Sequence, residues 1–160
     1  MVKRQDSQEH KIKHLEYSRI DRYIYIGTTI CCKVHFDKLL KMGIVADIDL
    51  QEEKMDKPSG VKSFLWLPTF DFTAPSQAQL VIGSHFIEDL VNHKMKCYVH
   101  CRAGHGRAPT LVAAYYILIG MTPRSAIAKI RKKRTLVHPN KKQRTALELF
   151  YKRVQRGEFG

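Results

Sequence analysis

The stretch Tyr98-Val-His-Cys-Arg-Ala-Gly-His-Gly-Arg-Ala-Pro-Thr110 constrains this chain more than any other. A short apolar run, Cys97 to Val99, enters it, and a helix-length apolar run, Leu111 to Ile119, leaves it. The pattern reads as strand, loop, helix, and Pro109 suits a first helical turn, where its missing N–H costs nothing. Gly104 and Gly106 let the loop turn tightly with its N–H groups inward. Such a nest at a helix N-terminus binds anions. Arg107 can add a bidentate pair of charge-assisted hydrogen bonds, so the implied ligand is a phosphate dianion. Cys101 falls at the floor of this cradle, where a helix N-terminus and nearby cations favour the thiolate. A thiolate beneath a phosphoryl group is a nucleophile aimed at phosphorus. The plainer alternative, a buried cysteine in a glycine turn, leaves Arg107 and both glycines without a purpose.

Cleaving a phosphate monoester also needs a proton for the departing oxygen. Asp71 is the candidate, thirty positions before Cys101 in Leu-Pro-Thr-Phe-Asp-Phe-Thr-Ala-Pro. It lies on a loop after a strand, so it projects from the same sheet edge as Cys101. Phe70 and Phe72 beside it would supply the apolar surroundings that keep an acid protonated. The competing reading is an Asp that merely caps a turn. Glu52, Glu53 and Asp56, in the turn-rich stretch 51–60, read as a solvated loop.

His100-Cys101-x5-Arg107 resembles the signature loop of the cysteine-dependent protein tyrosine phosphatase superfamily. The fuller string HCRAGHGRAPT is most similar to its dual-specificity branch, and the resemblance runs from about Arg19 to Arg153. It implies Cys101 as nucleophile, Arg107 as phosphate ligand and Asp71 as general acid. The loop Arg102, Ala103, Gly104, His105, Gly106 and Arg107 would bind substrate, and His100 would support the loop. No stretch resembles the phosphotyrosine-recognition loop of the larger enzymes. A shallow pocket is therefore implied, open to phosphotyrosine, phosphoserine and phosphothreonine. Family loops place Ser or Thr after the arginine, to steady the departing thiolate; here the residue is Ala108, and Thr110 is a candidate substitute. Glucan phosphatases also have Ala there, but one Trp and no carbohydrate-binding domain argue against glucan. Residues 22–153 are also similar to the mitochondrial phosphatidylglycerophosphate phosphatases, so a phospholipid substrate is the alternative to a phosphoprotein. An RNA 5′-phosphatase lacks any stacking motif to back it, and a non-catalytic polyanion-binding module rests on Ala108 alone. Neither cofactor nor metal is implied.

The remaining segments alternate between strand and helix. Residues 22–26, 44–48, 61–67 and 97–100 read as strands. Helices are expected over 31–42, from the cap Ser76 to about 93, from Thr122-Pro123 to about 134, and from the cap Asn140 to about 154. This predicts a single α/β domain over 19–156, a largely parallel twisted sheet of four to five strands flanked by helices, behind a polar arm at 1–18. Cys97 reads as a small core residue. The four cysteines show no disulfide or zinc spacing, and no apolar leader is visible, so a reducing, cytoplasmic setting is expected.

The net charge of +13 is localised: residues 122–156 hold twelve Lys/Arg against one Glu. Such a basic third suggests an anionic partner, here a peripheral contact with anionic membrane. A solvated basic face without a partner is the bland alternative.

Overall fold

The computed structural model of the protein describes residues 14–160. In chain order the elements are β1 (Tyr17–Arg19), β2 (Ile24–Gly27), α1 (Lys33–Lys41), β3 (Ile44–Gln51), β4 (Ser63–Thr69), α2 (Gln77–Asn92), β5 (Lys96–His100), α3 (Arg107–Leu118), α4 (Pro123–Lys133) and α5 (Lys141–Gln155). The sheet has the order β1-β2-β5-β3-β4. Only β1 runs antiparallel, and β2, β5, β3 and β4 are mutually parallel. The expected α/β class and strand count are found, with β5 at the centre.

Strand alternation sorts the side chains onto two faces. Ile24, Ile26, Ala46, Ile48, Leu50, Cys97 and Val99 enter the main core with α3. Tyr25, Ile44 and Tyr98 join a smaller core with Phe36 and Leu39 of α1. The register pairs Asp47 with Tyr98 and Asp49 with His100, which puts these polar groups on the face that α1 covers. Helix α3 is buried almost throughout, from Arg107 to Ile117. A helix apolar on every side belongs in the core, and this one runs away from the end of β5.

The caps read from sequence form as expected. Ser76, Thr122 and Asn140 each make a capping box, in which the cap side chain and the third helical side chain satisfy each other's backbone N–H.

Two expectations are revised. Of the arm over 1–18, residues 1–13 lie outside the described residues, but Tyr17 and Ser18 belong to β1 and pair with β2. Leu15 is buried in the smaller core. The loop at 51–60 is not simply solvated. Asp56 is 2% exposed and Glu53 contacts Arg107, because β3 runs on to Gln51 and carries the loop across the sheet edge where β5 ends. Glu52 and Glu53 keep the exposed character expected of them, but the Glu53 carboxylate is engaged by Arg107.

Candidate active site

Between β5 and α3 the chain makes a six-residue loop, Cys101 to Gly106, whose carbonyls are all tied down. His100 Nδ1 lies 3.3 Å from the Cys101 carbonyl, and Thr29 N–H donates to Arg102 O at 3.1 Å. Arg134 donates from Nη2 to Ala103 O at 3.0 Å and from Nε to Gly104 O at 2.8 Å. His138 N–H donates to His105 O at 3.0 Å, and Thr110 N–H to Gly106 O at 3.0 Å. Among the described residues, the amides of Arg102 to Gly106 donate no hydrogen bond. Carbonyls drawn outward leave the N–H groups facing inward, which is the polarity of an anion-binding nest. Gly104 is required: its φ is +73°, and a Cβ there would meet Gly27 O at 2.7 Å. Gly106 keeps negative φ; a Cβ there would crowd the Gln143 amide at 3.0 Å.

The loop lines a cavity of about 210 Å³ together with Asp71, Phe72, His138 and Asn140. Cys101 is 3% exposed at its floor. Arg107, fully buried at the start of α3, is held along one edge of its guanidinium. Nη1 donates to Glu53 Oε2 and to Thr69 O, both at 2.8 Å, and Nη2 donates to Glu53 Oε1 at 2.7 Å. These hydrogen bonds from Arg107 hold the Glu53 carboxyl down at about 2. The Nε of Arg107 is buried without a hydrogen-bond partner, 3.5 Å from Asp71 Oδ1. A buried unsatisfied donor is costly; Nε and the second N–H of Nη2 form a free edge that can grip a tetrahedral oxyanion from two points.

Asp71 stands across the cavity from the loop, 44% exposed. Its expected apolar enclosure is slight, since Phe70 and Phe72 are 66% and 77% exposed and only Phe72 borders the cavity, at its rim. The Asp71 turn is fastened to α5, where Asn140 Nδ2 donates to Phe72 O at 2.8 Å and Gln143 Nε2 to Thr73 O at 3.1 Å. One capping box therefore also sets the position of the acid loop.

Under the loop lies a buried cluster. His100 Nε2 is 2.6 Å from Asp56 Oδ2, 3.2 Å from Asp47 Oδ1 and 3.9 Å from Asp49 Oδ1. Burial would lower the His100 pKa, but Asp47 and Asp56 outweigh it and hold it well above 6.5. Burial pushes Asp47 up to about 8 and Asp49 to about 6. Burial also works against the Asp56 carboxylate, but the hydrogen bond and charge of His100 overcome this and keep it low. The cluster is thus an imidazolium with a charged Asp56 and a protonated Asp47, and both ring N–H groups can donate, one of them to the Cys101 carbonyl. His100 lies directly beneath the loop, its Nδ1 facing the Cys101 carbonyl.

Thr110 does not replace the missing hydroxyl. Its Oγ1 donates to Gly106 O at 2.6 Å, one helical turn back, so its proton is already used. Arg102 is exposed at the rim. His105 lies beside His138 with ring centroids 5.7 Å apart; burial, then the neighbouring Arg134 charge, lowers its pKa. Cys97 is fully buried in the main core, and burial pushes its thiol up.

Three residues escaped sequence reasoning. Glu53 and Asp56 look like any acids in a polar loop. Arg134 sits in the run Arg-Lys-Lys-Arg and looks solvated, yet it is 4% exposed and pairs with Glu16 at 2.7 Å. Among the described residues two clusters have ligand-type side chains: Cys31, Cys32 and His35, and Asp47, Asp56 and His100. In the first, His35 Nδ1 lies 3.2 Å from Cys31 N and His35 Nε2 3.6 Å from Cys31 Sγ, so the imidazole is engaged with Cys31 through both nitrogens. In the second, protons already balance the charge.

Residues 24–153 match the family model for the dual specificity phosphatase catalytic domain. The Arabidopsis thaliana phosphatidylglycerophosphate phosphatase PTPMT2 is 32% identical over 84% of this chain, and the chain spans 62% of that relative's length. The Mus musculus phosphatidylglycerophosphatase and protein-tyrosine phosphatase 1 is 31% identical, over 86% of this chain and 77% of its own. The crystal structure of PTPMT1 in complex with PI(5)P superposes with a TM-score of 0.78 at 26% identity, covering 89% of this chain and 98% of that one. A cysteine beneath inward-facing amides, an arginine with one free edge and a match across most of the chain agree: this protein belongs to the dual specificity phosphatase family and is a cysteine-dependent phosphatase.

Proposed function

We propose that this phosphatase removes the phosphate monoester of an anionic phospholipid headgroup, working at a membrane surface. The relatives support the lipid: two at 31–32% identity bear the name of phosphatidylglycerophosphate phosphatases, and a structural neighbour is complexed with PI(5)P. The observation that carries the chemistry is the polarity of the loop, with its carbonyls tied outward over a buried cysteine.

In the first step the Cys101 thiolate attacks phosphorus. The loop amides of Arg102 to Gly106 and the free edge of Arg107 hold the equatorial oxygens as charge shifts onto them. Asp71, as the acid, gives its proton to the leaving alkoxide as the P–O bond breaks. In the second step Asp71, now a carboxylate, takes a proton from water. The resulting hydroxide equivalent attacks phosphorus, the S–P bond breaks, and Cys101 leaves as thiolate with inorganic phosphate released. Glu53 and Thr69 orient Arg107; His100 and Arg134 hold the loop. The basic 122–156 region adds peripheral attraction to anionic lipid. No described helix is long and apolar enough to cross a membrane.

Dual specificity toward phosphotyrosine and phosphoserine/threonine proteins is the second reading, favoured by the mouse relative's fuller name. The test is a panel of phosphatidylglycerophosphate, PI(5)P, phosphotyrosine and phosphoserine peptides and 5′-phosphorylated RNA, with Cys101→Ser as control. The lipid reading expects kcat/KM at least about tenfold higher on a lipid monoester than on any peptide, a difference of about 1.4 kcal/mol. Preference for a peptide or for RNA would overturn it.

A further inference from the structure

Among the described residues the three most exposed large apolar side chains are Phe72, Phe70 and Leu136, at 77%, 66% and 66%. All three lie on segments that border the cavity, Leu136 in an adjoining cleft that shares His105 with it. Phe70 and Phe72 flank Asp71 on its turn, and Phe72 lines the cavity. Leu136 belongs to the neighbouring loop, which is joined to the cavity through His138, whose Nδ1 contacts Leu136 O at 2.5 Å. Asn140, two residues further on, holds the Phe72 carbonyl.

Phe72 has φ +63°, a left-handed conformation unfavourable for a bulky L-residue. Bonds from Phe72 N–H to Asp71 Oδ1 and from Asn140 Nδ2 to Phe72 O maintain it. The strained turn presents an aromatic ring to the exterior, where the protein itself returns no packing energy.

Beyond Asp71 and the Arg134-paired Glu16, the surrounding charge is positive. No Asp or Glu occurs between Asp89 and Glu148; Arg102 lines the cavity with Phe72, Lys133 lines a cleft with Leu136, and Lys141 and Lys142, directly after the Asn140 that holds Phe72 O, are exposed. Apolar protrusions in a cationic frame match the interface of an anionic bilayer: cations meet phosphates, and tips enter the acyl boundary. An acidic peptide would satisfy the charge but not three separate protrusions bordering a cavity.

We propose that Phe70, Phe72 and Leu136, framed by Arg102, Lys133, Lys141 and Lys142, form an insertion surface that seats the cavity mouth on an anionic phospholipid bilayer. A headgroup then reaches Cys101 without leaving the membrane. The purpose of this surface rests on the lipid-phosphatase reading, but its existence is testable without any phosphomonoester.

The experiment is sedimentation of the whole chain with phosphatidylcholine vesicles, with and without phosphatidylglycerol. Phe70→Ser with Leu136→Ser should lower partitioning onto anionic vesicles by roughly tenfold or more, leaving p-nitrophenyl phosphate turnover unchanged. Lys141→Gln with Lys142→Gln should lower it roughly fivefold per charge and flatten its salt dependence. Leu136→Trp should strengthen it, a gain that a folding defect cannot imitate. Partitioning unchanged by the tip substitutions and by Leu136→Trp would overturn the proposal, as would wild type that ignores anionic vesicles or is fully displaced from them by polyglutamate. Turnover of phosphatidylglycerophosphate in detergent micelles is measured separately. Failure there would refute the lipid substrate while a tip-dependent partition still upheld the surface.

Discussion

Replacing Ala108 by Ser should speed the enzyme, because the structure leaves the departing thiolate of Cys101 without a hydroxyl donor. Ala108 is fully buried and shares a core cluster with Cys101. The one nearby candidate, Thr110, donates its proton to Gly106 O at 2.6 Å. A serine at 108, directly after Arg107, would offer a proton where charge returns to sulfur as the phosphocysteine is hydrolysed. A hydrogen bond to a charged group contributes about 1.5–3 kcal/mol, and each 1.36 kcal/mol is about tenfold in rate. The second step should therefore accelerate by roughly 10- to 150-fold, with kcat rising until phosphoryl transfer limits it. Rapid-mixing kinetics with p-nitrophenyl phosphate is the assay. Wild type should show a burst of nitrophenolate near one equivalent followed by a slow steady state. Ala108→Ser should shrink the burst and raise kcat, and Thr110→Ala should leave the burst in place. No burst in wild type together with no gain in Ala108→Ser would refute the reasoning. A larger burst with a slower steady state in Thr110→Ala would show that this hydroxyl serves the thiolate after all.

Asp71→Asn should slow alkyl phosphates by about 10²–10⁴-fold, the usual worth of a proton donor, but p-nitrophenyl phosphate far less; equal slowing of both would remove Asp71 from the chemistry. Arg134→Ala should cost about 3 kcal/mol, since the Ala103 and Gly104 carbonyls lose a charged donor, and should weaken vanadate binding more than tenfold; denaturant melts and vanadate titration measure both. Lysine there, a single point donor, should recover only part. Asp47, lifted from 3.8 to about 8, keeps in the folded state a proton that the unfolded chain releases. His100, held above 6.5, does likewise, so stability should fall as pH rises across 3.8 to 8 and beyond. Asp47→Asn should flatten this slope by up to about 1.4 kcal/mol per pH unit, and an unchanged Tm-against-pH curve from pH 5 to about 9 would refute the proton assignment.

The local sequence determined much of this protein. Covalent spacing alone puts Cys101 and Arg107 at opposite ends of one loop, and the apolar runs beside it dictate a buried strand and a buried helix. Ser76, Thr122 and Asn140 declared their caps because a cap is a contact across three residues. Asp71 was legible for a similar reason: any residue just past a parallel strand emerges at the same edge as its neighbours.

What joins distant segments was not legible. Glu53 reaches Arg107 across 54 positions, and Glu16 meets Arg134 across 118. Nothing in a run of four cations shows that Arg131, Lys132 and Lys133 stay at the surface while Arg134 turns inward to hold two carbonyls. Asp56 reads as loop and is core, because a loop's burial depends on what the sheet edge beneath it lacks. Here that is a counter-charge for His100. Likewise, Phe70 and Phe72 read as shelter for Asp71, and only the left-handed turn at Phe72, secured from α5, leaves them exposed. Hydrophobic periodicity decides which face of an element is buried. It carries no information about which buried charge will find which partner, since that choice is made only when the β5 edge, the 51–60 loop and the start of α3 meet in space.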